Sequence, residues 1–170
     1  MADLADALLV ASEVMHRLQP WTSRRVIAGS IRRRQPEVKD IEIVCEPCTV
    51  DDGLFGEDRH ATAEIRELVQ MWGPTPKRGH KYIQVVDVLG SGITLDLFLV
   101  TPPATWGAIL AIRTGPAAFS EMLVTRIKGR GWRCMGGHVV DHLGAPIPTP
   151  TEEAFFEAAN VQWIEPEGRA

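Results

Sequence analysis

No apolar run in this sequence approaches the roughly 18–20 residues that a membrane-spanning helix needs, so no such helix is expected. The first residues also lack the basic and apolar segments of a secretory signal, and a cytoplasmic location is the expectation. Cysteine is scarce: Cys45, Cys48 and Cys134 are too few for a disulfide scaffold and fit a reducing compartment. No internal repeat or low-complexity tract is present. A basic surplus is also missing. The formal net charge is −4, whereas proteins that grip nucleic acid usually carry excess Lys and Arg, because releasing counterions from phosphates supplies much of their affinity.

The charges are instead segregated. Basic residues cluster at Arg24, Arg25, Arg32, Arg33 and Arg34, at Lys77, Arg78 and Lys81, and at Arg126, Lys128, Arg130 and Arg133. Acids crowd from Glu46 to Glu67 and from Asp141 onward. With 170 residues the chain is long enough for one ordinary domain or two small ones.

Leu4, Leu8, Ala11, Met15 and Leu18 recur at helical spacing, predicting a helix over 3–18 that stops before Pro20. Arg25–Gly29 and Ile41–Cys45 read as a hairpin-like pair of strands, rich in β-branched residues. Ala61, Ile65, Leu68 and Trp72 predict an amphipathic helix ended by Gly73 and Pro74. Strands at Tyr82–Val88 and Ile93–Val100 follow, with Gly90-Ser91-Gly92 as a hairpin turn between them. Pro102 and Pro103 mark a boundary, giving segments 1–103 and 104–170. Pro116 opens a helix toward Gly129, and Thr151 caps a last one through Asn160. Strands grouped in pairs, without regular βαβ repeats, indicate an α+β fold with a mixed, antiparallel-rich sheet. Trp72, Trp106, Trp132 and Trp163 stand in apolar stretches and read as core; Trp21, beside Pro20 and the arginines, is left open.

The chemistry gathers in two places. In Asp40-Ile41-Glu42 the alternation of a strand sends both carboxylates to one face and Ile41 and Ile43 to the other. In Thr94-Leu95-Asp96-Leu97 one acid stands among apolar neighbours, where an uncompensated charge is costly. Three converging carboxylates, Asp40, Glu42 and Asp96, would form an oxygen-rich site for Mg²⁺, and two such ions suit an in-line phosphoryl displacement. Upstream, Gly29 allows a close backbone approach to a triphosphate, Ser30 offers a hydroxyl, and Arg33 can fork onto phosphate oxygens. Cys45 and Cys48 have zinc-knuckle spacing, with Cys134, His138 and His142 as conceivable partners, but Cys45 continues the acid-bearing strand.

Gly29-Ser30, a gap, Asp40-x-Glu42 between apolar residues and the later Asp96 resemble the nucleotidyltransferase superfamily. Thr114-Gly115-Pro116 with Phe119, the Lys81-Tyr82-Ile83 stretch, Thr151 to Phe156 and the Pro166-x-x-Arg169 ending are similar to family X, the beta-like DNA polymerases. The resemblance runs from about residue 22 onward, and the residues before it leave no room for that family's lyase domain or DNA clamp. It implies a minimal palm followed by a thumb, acting as a template-directed polymerase that adds dNTPs to a primer 3′-hydroxyl at short gaps or nicks, with no obligatory protein partner. It implies that Asp40 and Glu42 bridge two Mg²⁺ ions, for which Mn²⁺ can substitute. Asp96 would ligate the catalytic ion and help take the 3′-hydroxyl proton, and Ser30 and Arg33 would hold the triphosphate. Thr114 and Gly115 would meet the sugar and base, and Lys81, Arg126 and Lys128 would contact DNA.

Ile112-Arg113 replaces the family's usual aromatic pair, and Val124 stands where a template-checking arginine is usual. Altered sugar selectivity and low fidelity are therefore expected. Two other readings stay open: a template-independent nucleotidyltransferase acting on a nucleic-acid end, a protein or a small molecule, and an inactive DNA-binding scaffold.

Overall fold

A computed structural model of the chain describes residues 1–51 and 59–169. The part of the acidic stretch at 52–58 lies outside the described residues. The chain divides into two compact units, Met1–Thr101 and Pro102–Ala170; the division falls just before Pro102, where the sequence reading set it after Pro103.

The first unit runs β1 (Ala2–Asp3), α1 (Leu4–Leu18), β2 (Thr22–Ile27), α2 (Gly29–Arg32), β3 (Glu37–Val38), β4 (Asp40–Pro47), β5 (Thr49–Val50), β6 (Arg59–His60), α3 (Thr62–Gln70), β7 (Lys77–Arg78), β8 (Tyr82–Val85) and β9 (Thr94–Leu99). Its main sheet has the order β2-β4-β9-β8-β7. The β4–β9 pair is parallel and the other three pairings are antiparallel, so the sheet is mixed.

Alternation along the strands builds two chemically different faces. Ile41, Ile43 and Cys45 on β4, Leu95, Leu97 and Leu99 on β9, and Ile83 and Val85 on β8 form one buried apolar face. They join Ala7, Ala11, Val14 and Leu18 of α1 and Ile65 and Val69 of α3 in one core. Each fully buried Leu or Ile in it contributes about 1.5–3 kcal/mol relative to exposure. Four of the five expected α1 positions meet the core, Ala11 and Leu18 fully buried and Leu4 and Met15 packed against it, while Leu8 is 40% exposed and Ala7 and Val14 are buried beside them. The small alanines let the helix backbone come close to the sheet, which the larger leucine would hold off. Asp3 caps α1 by accepting from the Asp6 N–H at 2.9 Å.

Two expectations shift by a few residues. β2 ends at Ile27 and Gly29 opens α2, so the turn expected at the end of this strand is a helical one. β8 ends at Val85, and the connection to β9 spans 86–93 as a wider loop in which the Asp87 carboxylate accepts from the Gly92 N–H. Asp87 and Leu89, both before the expected Gly90-Ser91-Gly92 turn, already take left-handed backbone there, so the chain leaves the strand earlier than the glycines mark. Trp21 packs on this unit's core, which settles the one tryptophan left open.

The second unit contains α4 (Trp106–Thr114), α5 (Ala117–Gly129), β10 (Arg133–Met135), β11 (His138–Val140), β12 (Pro146–Ile147) and α6 (Glu152–Ala158). β10, β11 and β12 make an antiparallel sheet. Phe119, Leu123, Ile127, Val139, Phe155 and Phe156 form its core. Thr151 caps α6 through the Ala154 N–H, as its sequence position predicts. Among the described residues no helix is long and apolar enough to cross a membrane.

Candidate active site

The face of the first unit's sheet opposite α1 and α3 carries the acids. In the parallel β4–β9 register Asp40 pairs with Thr94 and Glu42 with Asp96, so Glu42 and Asp96 are side-by-side neighbours with Asp40 two residues along. This adjacency depends on which strands pair and could not be read from either segment alone.

The chain reaches Gly29 directly from β2, where the Ala28 N–H bonds to the Glu42 carbonyl at 2.7 Å. Gly29 has φ +61°, and a Cβ built there would run into the Glu42 carboxylate. The space above the glycine is thus filled by Glu42, whereas the sequence reading reserved it for a triphosphate. Ser30 and Arg33 follow on the same turn. The Ser30 Oγ is buried and has no hydrogen-bond partner. Ser30, Arg33, Asp40 and Glu42 line one cleft of about 550 Å³ together with Gln35, Pro36, Glu37, Lys39 and Met1. Cationic and anionic side chains therefore share its walls. Lys39 and Gln35 were missed in the sequence: Lys39 borders the Asp-x-Glu motif but belongs to none of the basic clusters.

Asp96 is held from β8. Its Oδ1 accepts from the Tyr82 hydroxyl at 2.7 Å and from the Gln84 amide at 3.0 Å. Burial raises the Asp40 carboxyl above its usual range and the charge of Asp96 adds to this, while Lys39 and a backbone hydrogen bond oppose it. A carboxyl raised in the folded state binds its proton more tightly there than in the unfolded chain. Its ionised form therefore weakens the fold at neutral pH, and the penalty fades as pH falls into the carboxylate range. Asp40→Asn is accordingly expected to raise Tm slightly at pH 7, with the gain shrinking on acidification; melting curves across pH that show a loss, or a gain independent of pH, would refute this.

The donors Asp40, Glu42 and Asp96 are all carboxylate oxygens, the set that Mg²⁺ and Mn²⁺ prefer, and the raised Asp40 carboxyl is one that a cation would relieve. Their convergence is partial. Among the described residues no group of three His, Cys, Asp or Glu side chains is drawn together tightly enough to hold a metal as it stands. Glu42 leans on Gly29, and one oxygen of Asp96 is already engaged. Residues of the right chemistry are in register on one face of the sheet.

The other expected site residues are placed less openly. Thr114 and Gly115 are both buried: Thr114 ends α4 inside the protein, and Gly115 stops that helix with φ 64°. Neither presents the exposed atoms needed for the expected contact with sugar and base. Lys81, Arg126 and Lys128 are exposed, Lys81 just before β8 and the other two on α5. Arg130, in the same basic cluster, donates to the Glu157 and Ala158 carbonyls at the end of α6 and lies over the Trp132 ring, and Arg25 donates to the Met15 carbonyl. Those two guanidinium groups are tied into the fold. Burial pushes the Cys45 thiol up to about 12, so it stays protonated at the back of the acid-bearing strand. Comparison with protein-family models and with curated proteins gave no match to this chain.

Proposed function

We propose that this protein is a metal-dependent, template-directed DNA polymerase of the beta-like type, the first unit being its nucleotidyltransferase palm and the second its thumb. The observation that carries the reading is the cleft in which Ser30, Arg33, Asp40 and Glu42 meet, with Asp96 beside Glu42 across a parallel strand pair. The unpartnered Ser30 hydroxyl on its wall supports it, because a buried polar group without a partner costs about 1–3 kcal/mol that a bound phosphate oxygen would recover.

In this reading Arg33 and Lys39 hold triphosphate oxygens by charge-assisted hydrogen bonds and Ser30 gains its missing partner. Asp40, Glu42 and Asp96 would hold Mg²⁺ or Mn²⁺, which when bound neutralises phosphate charge and favours the ionised 3′-oxygen. The proton of the primer 3′-hydroxyl passes toward Asp96. A bond forms between that oxygen and the α-phosphorus, and the bond to the β-phosphate oxygen breaks, releasing pyrophosphate. In this reading the substrate is DNA with short gaps or nicks.

A second reading, template-independent nucleotidyl transfer, is favoured by one observation: Arg25 and Arg130 spend guanidinium hydrogen bonds on backbone carbonyls, which leaves fewer donors in the basic clusters for duplex phosphates. Extension of a labelled primer across a one-nucleotide gap, with each dNTP offered separately and Mg²⁺, Mn²⁺ or chelator present, separates the two. Incorporation dictated by the template base and lost with chelator is the expected result. Equal addition of every dNTP, on gapped and single-stranded primers alike, would move the assignment to a terminal transferase. No addition with either metal would leave a binding scaffold.

A further inference from the structure

Tyr82 is the chain's single tyrosine, and its hydroxyl is committed to Asp96. β8 and β9 pair antiparallel, with Gln84 directly opposite Asp96 and Tyr82 opposite Phe98. Gln84 thus reaches Asp96 straight across, and Tyr82 reaches it along the diagonal. The tyrosine ring is fixed from two directions: it stacks on Phe98 with centroids 5.2 Å apart and planes 20° off parallel, and Lys77 Nζ lies 5.5 Å from its centroid. A ring held this way gives the hydroxyl little freedom to leave its acceptor.

Both donors go to the same oxygen. Two hydrogen bonds fill the lone pairs of Oδ1, and among the described residues Oδ2 has no hydrogen-bond partner. The carboxylate is therefore locked against rotation with one oxygen open. A one-oxygen carboxylate suits Mg²⁺, which demands near-octahedral ligands at about 2.1 Å, whereas Ca²⁺ favours more oxygens and often takes both from one carboxylate.

We infer that Tyr82 and Gln84 are positioning residues that make Asp96 a one-oxygen donor and so bias the site toward Mg²⁺ and Mn²⁺ over Ca²⁺. The inference rests on the reading of Asp40, Glu42 and Asp96 as metal ligands. Tyr82→Phe keeps the ring and its stack on Phe98 and removes only the hydroxyl; Gln84→Leu removes the second donor independently. Binding to the full chain is measured from the electron paramagnetic resonance signal of free Mn²⁺, with Mg²⁺ and Ca²⁺ as competitors, and primer extension is run beside it. Loss of an outer hydrogen bond to a metal ligand typically weakens metal binding about 10- to 100-fold, the expected loss for Mn²⁺ in Tyr82→Phe. Gln84→Leu is expected to follow the same direction. Both variants should narrow the preference for Mg²⁺ over Ca²⁺ and lower kcat more than they change the KM for dNTP. A wild type that binds Mn²⁺ beside a Tyr82→Phe variant with the same affinity and Mg²⁺-to-Ca²⁺ ratio overturns the inference alone. A wild type that binds no Mn²⁺ overturns the metal-site reading, and the inference with it.

Discussion

Arg169→Ala is expected to destabilise the second unit by about 3–5 kcal/mol, the usual cost of removing one partner from a buried ion pair. Arg169 is 2% exposed and Glu152 is 5% exposed, so solvent screens little of their interaction. The guanidinium bonds Glu152 Oε1 from Nη1 at 2.9 Å and the Ile164 carbonyl from Nε at 3.0 Å, and lies 4.8 Å from the centroid of the Phe156 ring. It thereby ties residues 164–169 to the first turn of α6. Truncation leaves the Glu152 carboxylate dry and without its cation, and also opens a void against Phe119, Phe156 and Trp163. In a chain of this size each kcal/mol moves Tm by about 2–4 °C, so a fall of about 6–20 °C is the expected reading in thermal melts. The double variant Glu152→Leu with Arg169→Met should recover most of it, because exchanging both charges for apolar groups of similar volume removes the desolvation penalty along with the attraction. A fall below about 1 kcal/mol in Arg169→Ala, the range of a solvent-exposed pair, would show that the bridge is not buried in solution.

That bridge shows where sequence reasoning stops. Thr151-Glu152 and Pro166-x-x-Arg169 each stood out as a motif, and the cap at Thr151 was legible because N-capping is local chemistry. Nothing in periodicity pairs residue 152 with residue 169. The same holds at the candidate site, where alternation put Asp40 and Glu42 on one face but the neighbouring of Glu42 and Asp96 required a parallel pairing across a crossover. α4 escaped notice because Trp106, Gly107, Ala108, Leu110, Ala111 and Thr114 are all buried, leaving no polar stripe for a helical period to reveal. β10 and β11 are three residues each, too short for alternation to register. Their link did carry a usable signal: Gly136-Gly137 joins the paired residues Met135 and His138, a two-residue glycine turn of the kind hairpins favour. Charge clusters misled for a different reason. Arg25 and Arg130 look like solvated cations in sequence, yet each satisfies backbone carbonyls, a role set by where the chain passes.

Asp96→Asn is expected to lower nucleotidyl transfer at least about 10²- to 10³-fold, the typical cost of deleting one strong electrostatic contact in a transition state, while leaving the fold intact. The substitution isolates charge from shape. The asparagine Oδ1 can still accept from the Tyr82 hydroxyl and the Gln84 amide, so the hydrogen bonds that hold this position survive. The negative charge of Asp96 is one of the causes that raise the Asp40 carboxyl, and removing it relieves that carboxyl. Stability at neutral pH should then be unchanged or slightly higher. A residue retained for packing would behave in the opposite way, with activity falling only as the protein unfolds. The decisive pair of measurements is single-turnover primer extension and a thermal melt on the same preparation. A large loss of rate with an equal or higher Tm assigns the charge to the reaction. An Asn variant within about tenfold of wild-type rate would show that the Asp96 charge makes no strong transition-state contact, and would remove this acid face as the site of phosphoryl transfer.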